Sequence, residues 1–539
     1  MKGDFARVTF DSTLHYSQVY QQQGRVTLEA DWNEQASIQL SLLRTLAMDL
    51  VGPCWAAGNG FLLAAAPKLP DWSLTPGHFY VDGILCVNES ACTFGTQPYL
   101  PTPDTVSGND GSTGQPAGFV LYLDVWERHL CALEAPGIAD VALNGVDTAS
   151  RAQVIWQMRM LDLNPEQSTA SLANVRTALG LRKDLDAATL KQDLANLDAL
   201  ANALNGQGPA NTTLCDALRQ LVGVRATYAW PRMRAQLGPV DTDSDPCVIA
   251  ADARYRGCEN QLYRVEIHRG GLGSTDAAPS TTSFKWSREN GSVVFPALSS
   301  VLGRADDGSA IMTVTLGSLG HDQRLGLAIG DWVELVDDDY SLAQLAYSLL
   351  QVRSLDSTRR TVQLSVVGGA TPYALSNDPR KHPLLRRWDQ RDDVTAGGDV
   401  VLVEGDSITL ENGVQVRFEP GGLYATGDYW LIPARVSGQG LIEWPQVGGT
   451  PAPLPSRGMH HAAVLGSFTA GAGYTECCCR FDSLCTLLRN SATHKLLVAP
   501  TGAVAKQAVV AKAVPAVKKA APAAKKAASV VKKATRKKG

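Results

Sequence analysis

The chain has 539 residues, too many for one ordinary hydrophobic core, so its length implies two to four domains. Apolar residues make up 45% and charged residues 19%, a globular balance that excludes a collagen-like or wholly disordered polymer. The net charge of −4 conceals an asymmetry: Thr501 to Gly539 holds ten Lys, one Arg and no acid, leaving 38 basic against 53 acidic side chains elsewhere, a net −15.

The opening MKGDFARVTF has no apolar stretch after its basic residue, and no apolar run approaches the roughly 20 residues that span a bilayer. Synthesis in the cytoplasm without a signal peptide is therefore expected, with any release or surface exposure coming as part of a particle. Eleven cysteines, an odd number, read as reduced thiols rather than a disulfide framework.

In chain order, an extended segment to about Phe10 precedes a helix over Leu28 to Leu50, where apolar residues recur at helical spacing until Gly52-Pro53. Short strands follow, with His78 to Val81 turning at Asp82-Gly83 into Ile84 to Cys86, and a buried strand over Phe119 to Trp126. Asn164 to Leu221, with leucines at three- to five-residue steps, predicts a helical insert. Strands resume over Tyr263–His268, Ser283–Trp286, Ile311–Leu316, Trp332–Val336, Thr361–Val367, Val400–Val403, Gln415–Phe418 and Tyr429–Ile432. From Val498 the chain is an Ala/Val/Lys tract with Pro515 and Pro522, expected to be disordered when free. The fold class is thus mainly β and multi-domain, with antiparallel sandwich or barrel-like units. The divisions are 1–52 (extended segment and helix), 53–163 (β), 164–223 (helical insert), 224–497 (β) and 498–539 (tail). Strand and helix do not alternate regularly, which argues against Rossmann and TIM-type folds.

Several phrases carry more than composition: MKGDF, HYSQVYQQQGRV, ADWNEQ, GHFYVDGILC, LDVWERH, ARYRGCENQLYRVEIH, FKWSRENGSVVFP, GDWVELVDDDY, LLRRWDQ, LENGVQVRF, TGDYWLIPAR and CRF. Together, from Met1 to about Leu488, they resemble a bacterial family known as domain of unknown function 6519. Its members are similar to proteins encoded near phage-tail-like contractile injection systems. Glu29 stands where the family phrase usually has Asp, the Leu-rich segment is longer than the family needs, and the basic tail lies outside the resemblance. What the resemblance implies is a structural or adaptor component of such a particle.

Candidate sites each have a structural counterpart. Trp126-Glu127, Trp332 with Glu334, and Glu443-Trp444 pair an aromatic ring with an acid, as glycan-binding and glycan-cleaving surfaces do; strand tryptophans are more commonly core. Arg256, Glu259, Asn260, Gln261 and Arg264 form one polar cluster, and Trp286 with Lys285, Arg288, Glu289 and Asn290 another. Either could bind a ligand, but ion-paired loop geometry is the stronger reading. Gly291 after Asn290 fits a hairpin turn. Asp241, Asp243, Asp245 and Asp252 echo a calcium loop, with Pro246 in place of its glycine. His460 and His461, followed by Cys477 and Cys479, are soft ligands without paired structural-zinc spacing. Asp337-Asp338-Asp339 reads as a solvated turn. No Gly-x-Ser-x-Gly elbow, Walker A loop, His-Glu-x-x-His helix or dinucleotide fingerprint occurs, and no cofactor is predicted.

In the tail, Lys518, Lys519, Lys525, Lys526, Lys532, Lys533, Arg536, Lys537 and Lys538 suit nucleic acid, anionic lipid or an acidic protein surface. Three functions are therefore expected in order: particle component, glycan module, and delivered payload with a basic packing tail.

Overall fold

Alternation with period two builds most of the molecule. All eight strands expected between Tyr263 and Ile432 form, their ends shifting by a few residues. In Gln261–Arg269, Tyr263, Val265 and Ile267 enter a core, which leaves Arg264, Glu266 and His268 for the opposite face. The computed structural model describes residues 1–63, 72–102, 118–143, 147–162, 231–238, 254–273, 281–320, 322, 324–366, 371–437, 440–469 and 473–483. The predicted helical insert and the basic tail lie outside the described residues.

Met1–Ser483 forms one compact unit with a mainly β architecture. Its first β assembly joins chain segments far apart in sequence. Cys54–Ala57, Gly77–Val81 and Ile84–Asn88 are completed by Cys479–Phe481, which pairs in parallel with Cys54–Ala57. The long strands Gly118–Leu130 and Arg151–Asp162 are joined by His461–Thr469. Phe61, Trp72, Phe79, Leu121, Leu123 and Trp156 fill the core of this assembly.

The second assembly packs the five-stranded sheet containing Gln261–Arg269, Ser283–Ser287 and Tyr429–Arg435 against the four-stranded sheet containing Arg232–Leu237 and Val414–Phe418. The third is a closed antiparallel barrel. Its strand order is Val294–Arg304, Ala310–Leu316, Thr361–Ser365, Leu350–Asp356, Trp332–Val336 and Leu384–Trp388. Val314, Val333, Val352, Val362, Leu364 and Leu385 fill it; closure leaves no sheet edge unpaired.

The first helix runs Glu29–Val51, one residue from the expected bounds, and stops at Gly52, whose φ of 109° is open to glycine. Asp82 and Gly83 both take positive φ and close the expected hairpin. Asn290 and Gly291 also take positive φ, but the expected hairpin is not there. The flanking strands pair with other partners, so this turn carries the chain from the five-stranded sheet into the barrel. Asp337 is likewise not solvated. Its carboxylate is buried and caps the short helix Asp338–Leu342, accepting from the Tyr340 and Ser376 amides and the Tyr373 hydroxyl. Asp338 pairs with Arg128 and His382, and Asp339 with Lys381.

Candidate interaction surface

The outward face of the barrel strands Trp332–Val336 and Leu384–Trp388 lies on the polar face of the five-stranded sheet, and the charges between them are buried. Lys285 Nζ lies 2.6 Å from Glu334 and 3.5 Å from Glu266; Arg264 Nε is 2.5 Å from Glu266. Glu334 also accepts from Tyr340 at 2.9 Å and from the Trp388 indole at 2.9 Å. Burial alone would raise both carboxyls. The facing cations win, holding Glu334 near about 2 and Glu266 well below its ordinary value. Burial pushes His268 down to about 4 and keeps it neutral. A cavity of about 10 Å³ lined by Glu334, Tyr340, Tyr347 and Tyr373 has room for one water. With its acceptors filled by Lys285, Tyr340 and Trp388, the layer acts as a joint.

The chain's first residues enter this joint. Asn290 Nδ2 donates to the carbonyls of Met1 (3.1 Å) and Gly3 (2.9 Å), and Arg264 donates to that of Met1 at 3.2 Å. Lys2 Nζ sits 3.1 Å from Glu266, with burial lowering its pKa to about 8. Farther on, Arg435 donates to the Ala6 carbonyl at 2.7 Å, and the Ala6 amide donates to Glu29 at 2.8 Å. Thr9 bonds Glu34, and the Val19 amide donates to Gln35 at 2.7 Å. Glu29 therefore clamps the arm to the start of the helix.

The helix is held from beneath at few points. Ala30 and Ile38 are its buried residues, and Arg44 pairs with Glu127 at 2.8 Å. Gly83 admits the helix backbone, since a Cβ there would lie 2.4 Å from the Arg44 carbonyl oxygen. Ala47 and Val51 are half-buried, and the other, larger apolar side chains of the helix face out. Trp32, Leu40, Leu42, Leu43, Leu46, Met48 and Leu50 are exposed, and on the arm so are Leu14, Tyr16, Tyr20, Val26 and Leu28. Nine of the ten described tryptophans are buried; Trp32 is 63% exposed. Single exposed apolar residues are ordinary, but twelve between Leu14 and Leu50 form an unpaired surface.

The tryptophans singled out for glycan contact are core residues. Trp126 stacks on His460 at 4.5 Å, and Trp332 packs with Leu349 and Trp388. Trp444 donates to the Ala452 carbonyl at 2.9 Å, and Trp286 lies in the sheet core. None presents a ring face to solvent, because all four are buried. Glu127 holds Arg44. Glu259 pairs with Arg324, and Arg288 with Glu411 at 2.8 Å, so the polar clusters tie loops together. Arg256 lies beside Gly413.

His460 and His461 bond different carboxylates, Asp124 at 2.8 Å and Asp82 at 2.7 Å, while Cys477 is buried and Cys479 exposed. They do not converge, and among the described residues no three His, Cys, Asp or Glu side chains form a metal-holding group. Cys477 is disulfide-bonded, which corrects the reading of all cysteines as reduced. Asp241, Asp243, Asp245 and Asp252 lie outside the described residues, as do the tail lysines. The outward-facing apolar side chains of the arm and helix were not foreseen, because helical spacing groups residues on a face without saying what covers it. The width of the apolar face, reaching Leu40, Leu42 and Leu43 at once, was the available signal.

Fold and surface define a barrel-bearing β protein with an ordered apolar N-terminal helix. The chain belongs to the family of unknown function DUF6519, which matches residues 1–539 and so extends past Leu488 through the tail. No curated protein and no solved structure matches the chain. Among the described residues, no helix is long and apolar enough to cross a membrane.

Proposed function

We propose that the chain is a structural or adaptor component of a phage-tail-like contractile injection particle, associated with its fibre, baseplate or surface. It works by shape and interface complementarity rather than turnover. The observation that carries the interface half of this reading is the arm and helix, pinned by Glu29, Asn290 and Arg44 yet apolar outward. A rigidly held apolar surface loses little entropy when a partner covers it. The particle half rests on the resemblance of the sequence phrases to proteins encoded near such systems. The basic tail adds a polyanion contact through counterion release, to nucleic acid, anionic lipid or an acidic surface.

Pull-down of the intact chain, and of a copy ending at Pro500, from a lysate of its source tests this by mass spectrometry. Sheath, tube or baseplate proteins with both copies are the expected result. Capture of only nucleic acid or membrane material, and only with the tail present, would overturn the particle reading.

A further inference from the structure

We propose that the outward face of the helix Glu29–Val51 pairs with the same helix of a second copy of this chain. The inference rests on the reading of the chain as an assembly component and names the first partner of that surface. The periodicity is the argument. Trp32, Ala36, Gln39, Leu43, Leu46 and Leu50 are all exposed and follow one another at steps of four and three residues. That 3.5-residue repeat is the seam two helices use to insert side chains into each other, and it drifts only slowly around a helix of this length. Gln39, the polar residue within the seam, supplies the register element such pairs use.

Area points the same way. The seven exposed apolar side chains of the helix present on the order of 700 Å², close to the roughly 800 Å² each partner gives to a stable interface. Within the seam no residue carries a charge, so two copies meet without repulsion. A two-fold pair also needs no second complementary surface, since the same patch serves both copies. The helix carries Glu29, Asp31, Glu34 and Asp49 against one cation, Arg44, itself paired with Glu127. An interfacial membrane helix has the opposite balance, rich in Lys and Arg on its polar face.

Sedimentation velocity on the full chain at micromolar concentration, with the affinity tag at the C-terminus, tests the pairing. Wild type should run at twice the one-chain mass of 57.5 kDa or more. The Leu43→Glu, Leu46→Glu double variant should run as one chain, with association weakened at least about a hundredfold and the circular-dichroism melt unchanged. If that variant melts early, the milder Leu43→Ser, Leu50→Ser pair is read in its place. Wild type at one-chain mass, or variants that keep the wild-type mass, overturn the proposal. So does flotation of a single-chain wild type with phosphatidylglycerol vesicles that the variant loses, which would assign the face to lipid. The lysate pull-down separates the two readings: a single-chain protein that still captures particle proteins loses only the pairing. A dimer that captures none loses only the particle.

Discussion

At the scale of single residues, the joint between sheet and barrel sets the chemistry. Glu334 answers Lys285, Tyr340 and Trp388 together, so Glu334→Ala leaves Lys285 buried without its nearest partner. Urea unfolding should show a loss of about 3–5 kcal/mol, much of it recovered in the Glu334→Leu, Lys285→Met pair, which removes both charges. The same joint makes the protein acid-sensitive. His268 has a folded pKa of about 4 against an ordinary 6.5, so below pH 6.5 the unfolded chain takes a proton that the folded one refuses. Stability should therefore fall as pH drops from 6.5 to 4. Glu334, held near 2 against an ordinary 4.5, extends the loss below pH 4.5. Thermal melts across this range should show a shallower slope between pH 6.5 and 4 in His268→Gln, with the lower limb intact. The strands that hold Lys285 and Glu334 were legible in the sequence, while Leu384–Trp388 was not among those expected. The convergence of Lys285, Glu334 and Trp388 was not legible, because two separate sheets bring them together.

Among the elements, the N-terminal helix and the Asp82-Gly83 hairpin depend on each other. Gly83→Ala should cost more than about 1 kcal/mol, because its φ of 76° is unfavourable with a Cβ and the new methyl meets the Arg44 backbone. The drop in melting temperature measures it. Trp32→Ala, on the outward face, should change single-chain stability by less than about 0.5 kcal/mol while weakening self-association. Equal melting curves with unequal sedimentation would be the signature. Asp337→Ala should cost about 1–2 kcal/mol in urea unfolding, since the carboxylate caps the short helix and ties Tyr373 and Ser376. The eight strands expected between Tyr263 and Ile432 were readable because apolar alternation is local, whereas the barrel strands Val294–Arg304, Leu350–Asp356 and Leu384–Trp388 were not among them. The aspartate run was misread because an exposed turn and a buried cap share the same composition.

For the whole molecule, an acidic body and a basic tail are separable properties. A copy ending at Pro500 should melt with the intact chain, yet lose binding to a polyanion such as heparin. The intact chain's affinity should fall steeply with salt, in proportion to the phosphate- or sulfate-like contacts its lysines make. Retained salt-sensitive binding by the shortened copy would place the contact on the body. The pairing of Cys479–Phe481 with Cys54–Ala57, and of His461–Thr469 with Gly118–Leu130, closes the first β assembly with strands from the far end. Loop-closure cost grows only slowly with separation, so such distant pairing is thermodynamically open but invisible to a local pattern.

By itself, then, the amino-acid order determined the β class, the limits of the first helix and of a set of central strands, the Asp82-Gly83 turn and the charge divide, all set by neighbours a few residues apart. Tertiary structure decided which faces are wet. Alternation assigns Arg264, Glu266, Lys285 and Glu334 to a polar face, and only the barrel lying on the sheet buries them as a paired layer. Helical spacing groups Trp32, Leu43 and Leu46 on one side of the helix, and only the placement of the helix on Gly83 and Glu127 turns that side outward. In both cases the deciding quantity is what packs on the second side of an element, which no local pattern contains.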